Sequence, residues 1–531
     1  MPSGTKGPPI TSAAYATARR HREAHSMTIP GSAAIRRSPS AQLRAGLSHP
    51  VIDTDLHTVE FLPVLEDYID KVGGAAAVDQ FRGAITLGRY KSKNWYGFSE
   101  AERRDRHATR PPWWTLPSQN TLDLATVSLP RLLHERLDEQ GTDFAVLYPN
   151  IATFAVLIGK EDLRRTVVRA VNLYHADIYR PYADRITPVA AIPLYDPQEG
   201  VEELEFAVRE LGFKVALITG SVRRPIKALA DRYPAKDHPD IAPHLTWLDT
   251  YGVDSLYDYD PFWAKAVELK VPLTTHTGSQ GWISRASRSN YMYNHIGHFA
   301  SASEALVKSL FFSGVTRRFP ALRLGLLEGG AAYASSLYAD LVGHWEKRNG
   351  TAVRQYDPER LDSELLHRLY QEHGDERVRA HVRSPEDARR HAFGANESGQ
   401  NGWIQQGEID DFAAAGIGSI EDIRDRFVPN FYFGAEADDP TVAHAFNSKV
   451  NPLNVELKAF WASDSGHWDV PDLTRVLAET WELVERGTLS ERNFRDLVFT
   501  NPYEFYAGTN PAFFQGTQVE AKLAAHRLAA E

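Results

Sequence analysis

VIDTDLHTVE, residues 51–60, places two carboxylates and an imidazole at every second position of what otherwise reads as a buried strand. Val51 and Ile52, both β-branched, lead into Asp53, Asp55 and His57. Alternate residues of a strand leave the same face, so all three point one way. Ionisable groups on a buried face are costly unless something compensates them. A divalent cation does so, with imidazole and carboxylate as its ligands. Asp55 and His57 are therefore candidate metal ligands, and Asp53, one step deeper, is read as orienting them.

Outward from this stretch, further strand-length apolar runs bounded by Gly, Pro, Asn or Asp occupy 143–150, 186–194, 214–220, 271–278, 322–330, 430–437 and 460–465. Amphipathic segments such as GVEELEFAVRELGF (200–213) and PFWAKAVELK (261–270) lie between them. With the opening run this makes eight strands alternating with helices, the count that closes a parallel (β/α)8 barrel. The expected fold class is α/β, a TIM barrel with helical insertions over its C-terminal mouth. The rival is an open doubly wound sheet, whose first strand normally runs into a Gly-rich phosphate turn; residues 51–60 contain no glycine. Two regions are too long to be simple loops, near 70–130 and 345–430, and both are expected to be helical insertions. The domain expectation is a tail over 1–48, the barrel over 49–515 and a helical tail over 516–531.

Barrel active sites sit at the C-terminal ends of the strands. The first strand there offers Asp55 and His57, the fifth His276, the sixth Glu328 and the eighth Asp464. Each has a plain structural reading: a core histidine, a salt-bridge partner, a helix N-cap. Their coincidence at one end of four strands favours a metal centre. The ends at Pro149-Asn150, Pro193-Leu194 and Thr219-Gly220 are quieter. Lys214 starts its strand and so points to the wrong end to carry a bridging carbamate.

Composition narrows the chemistry. The chain has 531 residues, 43% hydrophobic and 24% charged, the balance of a folded globular protein. It has no cysteine, which excludes thiolate catalysis and Cys-ligated metals. A net charge of −10 offers no basic surface for nucleic acid or anionic lipid. No apolar run is long enough for a transmembrane helix, and a cytoplasmic location is expected. The Ser-, Ala- and Arg-rich residues 1–48 read as a disordered tail, or as a start placed ahead of a true Met27. No G-x-S-x-G elbow is present, and HERLD (134–138) lacks the second His of H-E-x-x-H.

DTDLHTVE, HTG (276–278), FPALRLGLLEGGAAY (319–333) and ASDSGHWDVPDL (462–473) together resemble the amidohydrolase-related (amidohydrolase-2) branch of the amidohydrolase superfamily, similar to the aminocarboxymuconate semialdehyde decarboxylase group. The resemblance implies a TIM barrel with a catalytic divalent ion, sometimes two. It also implies ligands at Asp55, His57, His276 and Asp464. Two positions depart from the branch's decarboxylases: Glu328 stands in LEGG where an HGGG-like motif is frequent, and Asp55 stands where His or Glu is frequent. The extra carboxylates suit Mn²⁺ or Fe²⁺ as well as Zn²⁺.

The leading expectation is a metal-dependent hydrolase: a metal-activated water attacks an amide, ester or thioester of an organic acid derivative, and Asp464 takes its proton. The alternative is a metal-dependent non-oxidative decarboxylase (a carboxy-lyase) of an aromatic or unsaturated acid. A barrel that has lost catalysis is the third reading. His298 is a candidate acid/base or oxyanion-stabilising group, His295 lies three residues earlier on the same expected helix face, and His467 is expected to support Asp464. Trp113, Trp114, Trp282, Tyr291, Tyr293 and Trp468 would line a mouth for an apolar or aromatic substrate, with Arg285 and Arg288 available to an anion. The expected partner is a small-molecule substrate, with no nucleic acid and no membrane. A homodimer is expected, its contact in the charged 345–430 insertion.

Overall fold

The structure, a computed structural model, describes residues 38–88, 93–112, 117, 119–392 and 410–530. Residues 51–60 form the first strand as their pattern predicts. β1 (Ile52–Thr58) is buried along its whole length and pairs in parallel with β2 (Phe144–Pro149), which pairs in parallel with β3 (Ile186–Pro188). A second parallel sheet comprises β4 (Ala190–Ala191), β5 (Ala216–Ile218), β8 (Leu273–Thr275), β9 (Leu324–Leu326), β10 (Phe431–Glu436) and β11 (Lys458–Ala462), in the spatial order β11-β10-β9-β8-β5-β4.

Hydrogen bonds join the two sheets at both margins. Only Val189 separates β3 from β4; its N–H donates to Leu147 O at 3.0 Å, and that of Ala190 donates to Val215 O at 2.9 Å. On the other side the Asp464 N–H donates to Asp55 O at 3.0 Å and the His57 N–H to Ser465 O at 2.8 Å. The Thr54 hydroxyl donates to Trp461 O at 2.7 Å. The architecture is thus α/β with parallel sheets. The strands are rich in Val, Ile, Leu, Ala and aromatics because parallel sheets are covered on both faces.

Helices between the strands form for readable reasons. The helix Pro197–Arg209 starts on Asp196, whose carboxylate accepts the Glu199 N–H at 2.8 Å, with proline in its first turn. It buries Leu204 and Ala207 on the core face. Both long insertions are helical in their described parts, for example Leu62–Gly73 and Ala75–Gly88 in the first and Ser363–His373 in the second. The first insertion lies on the segment that follows β8. The Trp95 indole donates to Arg288 O at 3.1 Å, and the Asn294 amide donates to Arg110 O at 3.2 Å.

Two features differ from the sequence reading. Residues 39–46, assigned to the tail, form the helix Pro39–Gly46, capped by Ser38 and with Ser40 buried. The Ser40 N–H donates to Thr474 O at 3.2 Å, so packing against the chain's C-terminal third orders a segment whose composition looks disordered. An antiparallel hairpin of β6 (Val222–Pro225) and β7 (Thr246–Asp249) follows β5. Its register is held by the buried Arg224, which donates to Asp249 at 3.0 Å and to the Tyr259 hydroxyl at 2.8 Å. Met27 lies outside the described residues. Among those described, no helix is long and apolar enough to cross a membrane.

The loop after β11 is anchored from the first insertion. The Arg136 guanidinium, almost wholly buried, reaches Asp123 at 2.7 Å and Glu139 at 2.8 Å. Asp123 in turn accepts the Leu473 N–H at 2.9 Å. Arg136→Ala leaves two buried carboxylates uncompensated. We expect a loss of about 3–5 kcal/mol of stability, read as a lowered urea midpoint; a midpoint equal to wild type would show that the anchor carries no weight.

Candidate metal centre

The strand ends bring Asp55, His57, His276, Glu328, Asp464 and His467 into one buried cluster. Among the described residues their donor atoms form two overlapping quartets, Asp55–His57–His276–Glu328 and His57–Glu328–Asp464–His467; within each, all donors lie within 4.8 Å of one another. His57 Nε2 is 3.2 Å from Asp55, 3.3 Å from Asp464 and 3.0 Å from His276 Nε2. Glu328 Oε1 is 3.1 Å from His276 Nε2 and 3.0 Å from His467 Nδ1. His467 Nδ1 is 2.7 Å from Asp464, and its ring stacks on that of His57 with centroids 3.7 Å apart.

The donors fit a divalent cation. Both oxygens of Asp55, both of Glu328 and Oδ1 of Asp464 are buried with no well-formed hydrogen bond. Two imidazole nitrogens facing each other at 3.0 Å suit lone pairs aimed at a shared cation. With protons alone, the cluster balances its charge on histidine. Burial works against a charged His276, but Glu328 and Asp55 outweigh it and lift it to about 10. His467 is lifted in the same way by Asp464 and Glu328 against its burial. Burial, then the neighbouring His467, pushes His57 down to about 4, so it stays neutral. Burial and the Glu328 carboxylate raise Asp464 despite His467. A bound metal would replace these protons, since ligands must be deprotonated.

Backbone geometry holds the carboxylates. Glu328 (φ 56°) and Asp464 (φ 51°) both lie in the left-handed region that side chains other than glycine rarely adopt. Gly466 (φ 108°) lets the loop turn against β1, where a Cβ would come within 2.8 Å of His57 O. Asp53 braces the ligand strands rather than touching the cluster's nitrogens. Its Oδ1 accepts the N–H of Asp55 at 3.2 Å and that of Ser463 at 3.1 Å. Burial pushes its carboxyl up to about 7.

The flanking histidines lie differently from their expected placement on a single helix. His295 ends the helix Tyr291–His295, and His298 begins the helix His298–Phe312, because Gly297 (φ 72°) breaks the chain between them. Their rings still meet at 4.8 Å. His298 is pushed down to about 3 by burial and then by His295, so it is neutral. Its Nε2 lies 3.1 Å from the Gln280 amide, which also donates to the Tyr291 hydroxyl at 2.9 Å. A Cβ on Gly278 would overlap the His298 ring, which explains a glycine in HTG.

Of the aromatic candidates, Tyr291 is buried, Trp282 and Trp468 are half-buried and Tyr293 is exposed; Trp113 and Trp114 lie outside the described residues. Trp468 meets His295 at 5.9 Å. Arg285 and Arg288, offered to an anion by the sequence, are committed within the chain. Arg285 bonds Ile296 O and the Ser301 hydroxyl, and Arg288 bonds Glu100. Lys214 donates to Phe513 O at 2.8 Å, away from the cluster. His134 of HERLD meets Asp184 at 3.0 Å.

Two residues escaped the sequence reading. Asn150, just past β2, places Oδ1 3.1 Å from His57 Nδ1. It thereby holds the proton on Nδ1 and frees Nε2 for the cluster. Glu436, at the end of β10, is raised to about 8 by burial and by Glu328 and Asp469. A polar residue at or just past the end of its strand is the only signal the sequence carries for either.

Comparisons with known proteins agree with this reading. Residues 129–379 match the amidohydrolase family model, a span that includes His276 and Glu328. Over 233 residues the chain is 25% identical to gamma-resorcylate decarboxylase of Rhodococcus jostii (strain RHA1), covering 43% of this chain and 62% of that protein. The chain thus spans less than two thirds of the length of this curated relative. A solved amidohydrolase from Mycobacterium avium subsp. paratuberculosis is 16% identical, with 87% of this chain and 98% of that chain covered and a TM-score of 0.48. A manganese- and 2-nitroresorcinol-bound dihydroxybenzoic acid decarboxylase from Polaromonas sp. JS666 is 16% identical, with 86% and 97% covered and a TM-score of 0.43. At such scores the two structural likenesses bear no weight for this chain's chemistry. Over residues 129–379 the chain is similar to the amidohydrolase family, and its motifs resemble the amidohydrolase-related branch. Its own site is a carboxylate-rich cluster able to hold a divalent metal ion.

Asn150→Ala should weaken Mn²⁺ binding by about 10–100-fold, read by isothermal titration, while Asn150→Asp, which still accepts a hydrogen bond, retains most of it. Equal affinities in wild type and Asn150→Ala would remove Asn150 from the centre.

Proposed function

We propose that this chain is a divalent-metal-dependent, non-oxidative decarboxylase of an aromatic carboxylic acid. Its parallel strands would form a closed eight-stranded barrel, a reading supported by the hydrogen bonds that join the two sheets at both margins. Asp55, His57, His276, Glu328 and Asp464 would hold the metal, with Mn²⁺ or Fe²⁺ suiting the carboxylates as well as Zn²⁺. The observation that carries the metal-dependent reading is the convergence of these donors from four strand ends. When bound, the ion would grip the substrate carboxylate and a neighbouring oxygen and draw electron density from the ring.

The chain's own groups supply the proton and the walls. Asp464 would reach the cation as a carboxylate, so the Asp464–His467 pair, 2.7 Å apart, would carry its proton on His467. His467 would give that proton to the ring carbon bearing the carboxylate. As the carbon–carbon bond breaks, its electron pair returns to the ring, CO₂ leaves, and the added proton remains on carbon. Solvent would return a proton to His467, with Asp464 holding its ring in place. Tyr291, His295 and Trp468 offer an aromatic wall, and neutral His298 would act as a hydrogen-bonding group rather than an acid. The relative named as a decarboxylase supports this choice over hydrolysis of an amide, ester or thioester. The charged helices of 345–430 remain our proposed dimer contact.

The test is a panel of hydroxylated aryl carboxylic acids assayed for CO₂ release, beside amides, esters and thioesters assayed for hydrolysis. We expect CO₂ release that EDTA abolishes and Mn²⁺ restores, and a fall in kcat of at least about 100-fold in Asp464→Asn. Metal-dependent hydrolysis without CO₂ release would replace this reading with the hydrolase one.

A further inference from the structure

Resting on the metal-dependent reading above, we propose that Tyr251, in the turn after the β6–β7 hairpin, is a positioning residue for His276, acting through the end of β5. Its backbone is an outlier: φ is 65°, in the left-handed region where a bulky side chain is rare. The turn is pinned there by its neighbours. The buried Asp249 carboxylate, itself paired with Arg224 at 3.0 Å, accepts the Tyr251 N–H at 2.9 Å. Gly252 passes so close to the helix His298–Phe312 that a Cβ would overlap Ser309 O. The Val253 N–H donates to the Ser309 hydroxyl at 2.9 Å. Glycine would fill position 251 without strain. A tyrosine kept there points to a use for its side chain.

That side chain reaches the end of a strand beside the metal centre. Tyr251 is buried, and its hydroxyl shares a hydrogen bond with that of Thr219, the residue directly after β5. Gly220 follows, and its N–H donates to the Thr277 hydroxyl at 2.5 Å. A Cβ on Gly220 would come within 3.1 Å of the Thr277 Cβ, so the ends of β5 and β8 touch at this glycine. Thr275 and Thr277 flank His276, and their hydroxyl oxygens lie 3.0 Å apart. Neighbours along an extended chain leave opposite faces, so the two threonines grip the strand end from behind the imidazole. The run Tyr251–Thr219–Gly220–Thr277 thereby sets where His276 Nε2, 3.1 Å from Glu328, is aimed. None of these four residues belongs to the metal-competent cluster. Contacts of this kind fix the orientation of a ligating ring. The competing account is packing alone: Tyr251 rests edge-on against Tyr259, with ring centroids 5.0 Å apart, and that contact does not need the hydroxyl.

Tyr251→Phe in the full-length protein keeps the ring, removes the hydroxyl and so separates the two accounts. Mn²⁺ affinity is read by calorimetry on metal-stripped protein, beside urea midpoints. We expect Tyr251→Phe and Thr277→Val each to bind Mn²⁺ about 10-fold or more weakly than wild type. Thr277→Ser, which keeps the hydroxyl, should bind as wild type does. The double variant Tyr251→Phe/Thr277→Val should bind no more weakly than Thr277→Val alone, because both substitutions break one chain of contacts. Wild-type affinity in Tyr251→Phe, whatever its urea midpoint, overturns the proposal and leaves Tyr251 a packing residue. Losses that multiply in the double variant, or a Thr277→Ser as weak as Thr277→Val, overturn it equally. Thr219→Val removes the same hydrogen bond from its other end and decides in the same way should Tyr251→Phe fail to fold. A wild type that binds no Mn²⁺ would instead remove the metal-dependent reading itself, and this inference with it.

Discussion

Asp55, Glu328 and Asp464 are brought within contact of the same histidine, each nearly shut off from water. Three carboxylates so placed repel one another strongly in a medium that screens poorly. The fold tolerates them because His57, His276 and His467 interleave them, either as proton carriers or as co-ligands of a cation. The rest of the site depends on this compensation. Without it the strand ends would move apart or the carboxyls would take up protons, and the cluster's chemistry would be lost with its geometry.

The surrounding chain keeps the groups from relaxing. Asp53 ties β1 to the residue after β11 through two backbone N–H groups. Asn150 fixes the ring of His57 from β2. Gly466 allows the Asp464 loop to pass close to the His57 carbonyl. Arg136 and Asp123 hold the far end of the same loop at Leu473. Each support comes from a different part of the chain, so precision at the metal is a property of the whole sheet assembly.

The same environment bears on the chemistry. Without a cation, burial and Glu328 raise the Asp464 carboxyl despite His467. With one bound, Asp464 would be a carboxylate, and the imidazole of His467, 2.7 Å away, is the neighbour that can keep a proton. Glu328, standing where a histidine is frequent in the branch's decarboxylases, is together with His57 common to both quartets of the cluster.

Much of the site was legible in order along the chain. Alternation in VIDTDLHTVE put Asp55 and His57 on one face, and short apolar runs located His276, Glu328 and Asp464 at strand ends, because strand periodicity and boundaries are local properties. Asn150 was passed over, because an asparagine after a strand is an ordinary turn residue until its partner is known. Gly297 is visible, yet nothing local says that it separates His295 and His298 onto two helices that still meet. The β6–β7 hairpin and the ordered helix Pro39–Gly46 depend on contacts with distant segments. By itself the sequence determined which groups a metal would want and which strands carry them. Only the tertiary structure decided that His467 also reaches Glu328 and stacks on His57, and that the arginines are taken. Those facts are distances between residues remote in sequence, and no local periodicity encodes them.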